Sequence, residues 1–136
     1  MARSLRIALP VFFVVAAAAV LAACGSESIS SSVTPALKPG AQLFADRCGG
    51  CHTLSVAGTQ GTSENIKDRE RVDGPNLDKR RETVQCVLYA IRNGGFSGAI
   101  MPQNIVTGAE ANEVAAFVAK YAGQQAKIPP ACGSGS

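Results

Sequence analysis

The sequence is short of the side chains on which most binding and catalytic chemistries rely. Aromatic residues make up 5% of its 136 positions, and tryptophan is absent. No basic stripe is interleaved with the few rings, so nucleic-acid binding finds no support. Histidine occurs once, at His52, and methionine twice. Charged residues amount to 17% of the chain, with a formal net charge of +3, and so small a balance selects no partner. There is no internal repeat and no convincing strand alternation. The length accommodates one domain.

Apolar residues are abundant, at 46%, and many lie at the front of the chain. "MARSLR" supplies two arginines, and "IALPVFFVVAAAAVLAA" follows. A basic start and an apolar run are the first two parts of an export signal. Residues 7–23 include Pro10 and are marginal in length for a bilayer span. The run ends in "LAAC", residues 21–24: an aliphatic residue, two small ones, then cysteine. This resembles the lipobox of bacterial lipoproteins. The resemblance implies cleavage before Cys24 and a diacylglyceryl group on that cysteine. It also implies an exported domain, lipid-anchored to the membrane and facing the periplasm or extracytoplasmic space. The simpler reading is an ordinary cleaved signal, or an uncleaved anchor, with a cysteine close by. Cleavage removes Arg3 and Arg6 and no acidic residue, leaving the mature chain close to neutral.

Beyond the signal (residues 1–23), residues 24–37 read "CGSESISSSVTPAL". They are serine-rich and aperiodic. The expectation is a flexible, lipid-bearing tether with a span of about 20 Å. The folded domain is expected over residues 38–123, with a C-terminal tail over 124–136. Three helical segments stand out. "PGAQLFADRCGGCH" puts Phe44 and Cys48 on one face. "RETVQCVLYAIRNGG" carries Val84, Val87, Leu88 and Ile91 at the spacing of a buried stripe, and Gly94 and Gly95 stop it. "TGAEANEVAAFVAKYAG" opens on a Thr107/Glu110 capping box. Ala111, Val114, Ala115, Val118, Tyr121 and Ala122 share one of its sides, and Gly123 ends it. Three helices make a thin core, and domains of this size often need a staple or a cofactor.

"CGGCH", residues 48–52, carries the chemistry. On a helical turn, Cys48, Cys51 and His52 point to one side. Two thiols so placed can add to the two vinyl groups on one edge of a porphyrin, and the imidazole can reach the iron from the same side. Cys-x-x-Cys-His is the signature of c-type haem attachment. Gly49 and Gly50 are poor helix formers and carry no bulk to obstruct the ring. Two rivals remain. A thioredoxin-like redox pair prefers a βαβ setting and gives His52 no task. A structural zinc site wants four ligands, usually in two close pairs, and neither a second histidine nor a second Cys-x-x-Cys follows. The export signal weighs on the haem side.

A single histidine excludes bis-histidine ligation within one molecule. Met1 leaves with the signal, so Met101, in "GAIMPQN", is the methionine that remains. Pro102 holds it extended, between the second and third helices. Its thioether is a soft donor that a haem iron accepts. The alternative is a gap-filling role in the core.

The domain resembles a small class I, mono-haem cytochrome c over roughly residues 40–121. "GAQLFADRCGGCHTL" is similar to that family's first helix and haem motif. "GPNL", residues 74–77, is similar to its proline loop, and "IMP", residues 100–102, to its distal-ligand segment. The resemblance implies an all-α fold of three main helices around one covalently bound haem c. His52 and Met101 would be the metal ligands, and the Pro75 carbonyl would accept the His52 Nδ1 proton. Phe44 would meet Phe117 or Tyr121 where the first and last helices cross. The implied function is one-electron transfer, not enzymatic catalysis, at the outer face of the cytoplasmic membrane in a respiratory or related chain. Redox partner proteins such as a terminal oxidase or a quinol–cytochrome c reductase follow from it. The alternatives are a ligand-binding or peroxidatic haem protein, or a cytochrome subunit of a larger oxidase or dehydrogenase.

Three features lie outside this pattern. The stretch between His52 and Pro75 is longer than the family's minimal loop. Being polar, it reads as a solvated excursion or as a docking surface. Arg69, Arg71, Lys79, Arg80 and Arg92 are all candidates to meet the haem propionates, with a solvated surface role competing for each. Of the five cysteines, Cys86 and Cys132 have no assigned task. In an oxidising compartment they form a possible disulfide that pins the tail to the second helix. Otherwise Cys86 is buried and Cys132 is an unrelated thiol. Lying off the Val84/Val87/Leu88 stripe, Cys86 is expected to be exposed.

Overall fold

Two helices from opposite ends of the domain cross on a glycine. Helix α1 is Lys38–Arg47 and helix α3 is Gly108–Tyr121. Where they touch, Gly40 faces the main-chain carbonyl of Glu113, and any Cβ at that position would overlap it. One turn further on, Phe44 meets Phe117 with ring centroids 5.9 Å apart. Phe117 in turn meets Tyr121 at 5.4 Å. Both pairs are tilted, as aromatic quadrupoles prefer. Phe44 and Phe117 are among the most deeply buried side chains. Helix α2, Val84–Asn93, packs on α3 and closes the core. The computed structural model describes residues 28–95 and 100–126. The signal segment, Cys24, Cys132 and residues 127–136 of the expected tail lie outside them. Among the described residues the α-helices are these three, and no helix is long and apolar enough to cross a membrane.

Helix α2 begins on a cap that the sequence did not advertise. The Thr83 hydroxyl accepts the Cys86 N–H at 3.1 Å. It ends where expected: Gly94 and Gly95 take φ of 75° and 86°, a left-handed conformation open to glycine at little cost. The Thr107/Glu110 capping box is not formed, because Thr107 makes no side-chain cap bond. Gly108, the first residue of α3, has φ of 56°, so the chain enters that helix by a turn that such a box does not fit. The apolar stripe of α2 is also rotated from the expected one. Val84, in the first turn, is exposed, whereas Cys86 is fully buried together with Val87 and Ile91.

The N-terminal segment corrects the tether reading. Residues 28–37 lie on the domain instead of trailing from it. Val33 is 2% exposed. The Tyr121 hydroxyl accepts the Thr34 N–H at 3.0 Å and donates to the Ser32 carbonyl at 3.3 Å. The Ser30 N–H reaches the Val56 carbonyl at 2.9 Å. The serine-rich composition conceals this, because a single valine and a distant tyrosine hold the segment. The far end is likewise tied down. The Gly123 N–H donates to the Leu77 carbonyl at 2.7 Å, and the Gln125 N–H to Asp78 at 3.0 Å.

The long stretch after His52 divides in two. Thr53–Leu54 (β1) and Thr59–Gln60 (β2) form an antiparallel pair, with a 3₁₀ turn, Ser55–Ala57, between them. Leu54 and Ala57 enter the core, and Thr53, Thr59 and Thr62 are buried. Two-residue strands are too short to show any alternation, which is why no strand was legible. Residues 64–72 are all exposed.

Two stability outcomes follow. Gly40→Ala forces α1 off α3 and should cost about 1–3 kcal/mol, read from the midpoint of denaturant unfolding. Tyr121→Phe removes both bonds to the N-terminal segment. It should cost about 1 kcal/mol and speed proteolysis within residues 28–37.

Candidate functional site

The "CGGCH" segment continues α1 as one further hydrogen-bonded turn. The Cys48 N–H reaches the Phe44 carbonyl at 2.8 Å, and the His52 N–H reaches the Cys48 carbonyl at 2.9 Å. Cys48, Cys51 and His52 thereby face one cavity, together with Phe44. The segment 74–77 runs alongside. The Gly74 N–H donates to the Cys51 carbonyl and the Leu77 N–H to the Thr53 carbonyl, each at 2.8 Å. Thr53 and Asn76 form a parallel bridge. Thr62, which nothing in the sequence singled out, fastens the two. Its hydroxyl oxygen accepts the Thr53 N–H at 3.0 Å and lies 3.0 Å from the Gly74 carbonyl.

This pairing sets the histidine. His52 Nδ1 lies 3.2 Å from the Pro75 carbonyl oxygen, which can only accept, so Nδ1 carries the proton. Burial pushes the His52 pKa below its ordinary value. The Pro75 bond opposes that shift and the Arg80 charge adds to it. The imidazole is therefore neutral, with an unprotonated Nε2. Gly74 lies flat against the ring, where any Cβ would overlap it.

The glycines of "CGGCH" act differently from the expectation. At Gly49 a Cβ would meet the Ala45 carbonyl and the Thr59 side chain, whereas at Gly50 there is open space. Gly49 thus serves the packing of β2 on the turn, not the approach of a ring. The sulfurs are also informative. Burial, with Cys51 adding to it, pushes the Cys48 thiol up to about 11. Reactive disulfide-exchanging pairs lower a thiol pKa instead, the opposite of what burial does at Cys48.

Met101 lines the same cavity as His52. Its segment is held to the end of α2, where the Asn104 N–H reaches the Ile91 carbonyl at 2.8 Å. Gly94 leaves room for the Met101 carbonyl, and Gly95 lies beside its sulfur. Val87, Ile91, Val114 and Val118 supply apolar wall. An apolar cavity with two thiols, a neutral imidazole and a thioether on its walls fits haem c. Of the propionate candidates, Arg80 lines this cavity, while Arg69, Arg71, Lys79 and Arg92 do not; Arg47, on α1, does and was missed. Cys86 is disulfide-bonded. Its expected partner, Cys132, lies outside the described residues.

The family model described as cytochrome c matches residues 37–122, spanning all three helices and both cavity-lining motifs. Among solved structures, the c-type cytochrome SorU from Sinorhizobium meliloti is similar, at 35% identity and a TM-score of 0.51. That similarity covers 68% of this chain and 97% of that one. No curated protein matches. The chain belongs to the cytochrome c family, with covalently bound haem c as its cofactor and haem-based electron transfer as its activity.

Proposed function

We propose that the chain is a one-electron carrier in which Cys48 and Cys51 hold the haem through thioether bonds and His52 and Met101 are its axial ligands. The observation that carries this reading is the shared cavity, with a neutral imidazole and a methionine thioether on its walls. The haem supplies the ferric/ferrous couple. The Pro75 carbonyl accepts a hydrogen bond from the His52 Nδ1–H, which would fix the ring and leave Nε2 to bind iron. Met101 supplies a soft donor that favours the reduced state. Val87, Ile91, Val114 and Val118 exclude water. With His52 and Met101 both bound to the iron, the haem would keep no open coordination site for a substrate and would serve as an electron carrier. Val72 is 44% and Ile100 53% exposed, and both line the cavity. They form an apolar margin against which a redox protein can dock.

The carrier is placed at the outer face of the cytoplasmic membrane, held by lipid on Cys24. Three residues separate Cys24 from the packed segment. At about 3.5 Å each they keep the domain close to the bilayer. Ser28 and Ile29 line a groove with Gln42, Ala45 and Asp46, the side of α1 away from Phe44 and Cys48. An anchor leaving there leaves the cavity margin open to a partner such as a terminal oxidase or a quinol–cytochrome c reductase. With the Cys24 sulfur lipidated, Cys132 is the partner assigned to Cys86, and the bridge serves stability.

The visible spectrum of the haem protein tests the ligand set. Wild type should be low-spin in both oxidation states and indifferent to carbon monoxide. Met101→Ala should keep its haem but become high-spin and bind carbon monoxide. A wild type that is already high-spin and shifts with carbon monoxide belongs to the ligand-binding alternative. Cys24→Ala should move the protein from the membrane fraction to the soluble fraction without altering that spectrum.

A further inference from the structure

Two charged side chains on the cavity wall pair with each other. Arg80 Nε lies 2.5 Å from Glu82 Oε1, with the arginine side chain 34% exposed and the glutamate 6%. The second carboxyl oxygen of Glu82, Oε2, is buried with no hydrogen-bond partner among the described residues. Both residues line the haem cavity. Arg81, between them in sequence, lies instead against Gly123 beyond α3. A buried carboxylate oxygen without a partner is expensive to maintain. An ordinary surface ion pair would expose the acid as well as the base.

We propose that Glu82 is a redox-linked proton acceptor, binding a proton when the haem iron is reduced and releasing it on oxidation. The balance is simple. A one-electron donor protein gives an electron to the iron, and water gives a proton to the Glu82 carboxylate. On oxidation the electron passes to the acceptor protein and the proton returns to water. Reduction removes one positive charge from a cavity of low polarity, where charges interact strongly. The carboxylate loses that attraction and its proton affinity rises. Linkage is reciprocal, so protonation favours reduction to the same degree. The exposed side of Arg80 gives the pair a route to solvent.

Burial already pushes the Glu82 carboxyl above its ordinary value, and the charge and hydrogen bond of Arg80 partly oppose it. The other charged or titratable groups on the cavity wall are Arg47, Asp73, His52 and the two haem-bearing cysteines. Asp73 accepts the Ser63 N–H at 3.1 Å, and the His52 Nδ1–H donates a hydrogen bond to the Pro75 carbonyl. Glu82 is the acid among them that has a buried oxygen left over.

The test is the midpoint potential of the full-length haem protein, measured spectroelectrochemically from acid to alkaline pH. Wild type should show a window in which the potential falls as pH rises, bounded by the Glu82 pKa of the ferric and ferrous forms. E82Q should be flat across that window with an unchanged visible spectrum. R80Q should move the window to higher pH, because the arginine charge opposes protonation. Should E82Q lose its haem, E82D must shift the window without abolishing it. A flat wild type overturns the inference, as does a window that neither E82Q nor E82D alters. The inference rests on the carrier reading, but the two fail separately. A low-spin spectrum with a flat potential removes only the proton linkage, whereas a high-spin wild type removes the carrier reading and this inference with it.

Discussion

The structure depends on one close approach, in which residues 51–53 run beside residues 74–77. The Gly74 and Leu77 N–H groups bond to the carbonyls of Cys51 and Thr53. That bonding brings the Pro75 carbonyl to His52 Nδ1. The imidazole then has one tautomer and one orientation. Gly74 is required because the ring occupies the space a side chain would need. Thr62, two residues past the β1–β2 hairpin, fastens the arrangement from behind. A histidine held in this way is preorganised, its ring set by main-chain geometry.

The helices serve that arrangement. Gly40 lets α1 and α3 touch, and Phe44 and Phe117 lock the crossing just behind the "CGGCH" turn. Val87, Ile91, Val114 and Val118 belong both to the core and to the cavity wall. The cofactor site and the hydrophobic core are therefore one object. A domain this small has little apolar surface to bury within itself, and a covalent haem supplies what three helices lack. The same economy explains the pinned termini. Tyr121 holds the segment before α1 while Leu77 and Asp78 hold the segment after α3.

Much of this was legible in the sequence. Helix periodicity located all three helices, and their glycine stops survived to the residue at Gly94 and Gly95. Family resemblance supplied the His52–Pro75 contact and the aromatic crossing. What escaped had physical reasons. Thr62 acts through its hydroxyl across a fold-back that no periodicity reports. Val33 is a lone apolar residue in a serine-rich stretch, invisible to a compositional reading. Cys86 sits one position off the valine stripe, and the stripe turned to meet it because the cavity wall, not Val84, defines the buried face. Glu82 stands beside Arg80 and Arg81 with nothing in the local sequence to mark it. Only its burial sets it apart.

The central claim is that one cavity brings His52 and Met101 to the same iron. Proton NMR of the ferrous protein addresses it directly, because the porphyrin ring current shields whatever lies over its face. Met101 is the only methionine beyond Met1, so its methyl resonance is unambiguous once the signal is removed. The structure predicts that this three-proton signal moves far upfield of an ordinary methionine methyl. A methyl signal at the ordinary position, in ferrous protein with its haem attached, would show that Met101 does not sit over the iron and would contradict the assignment.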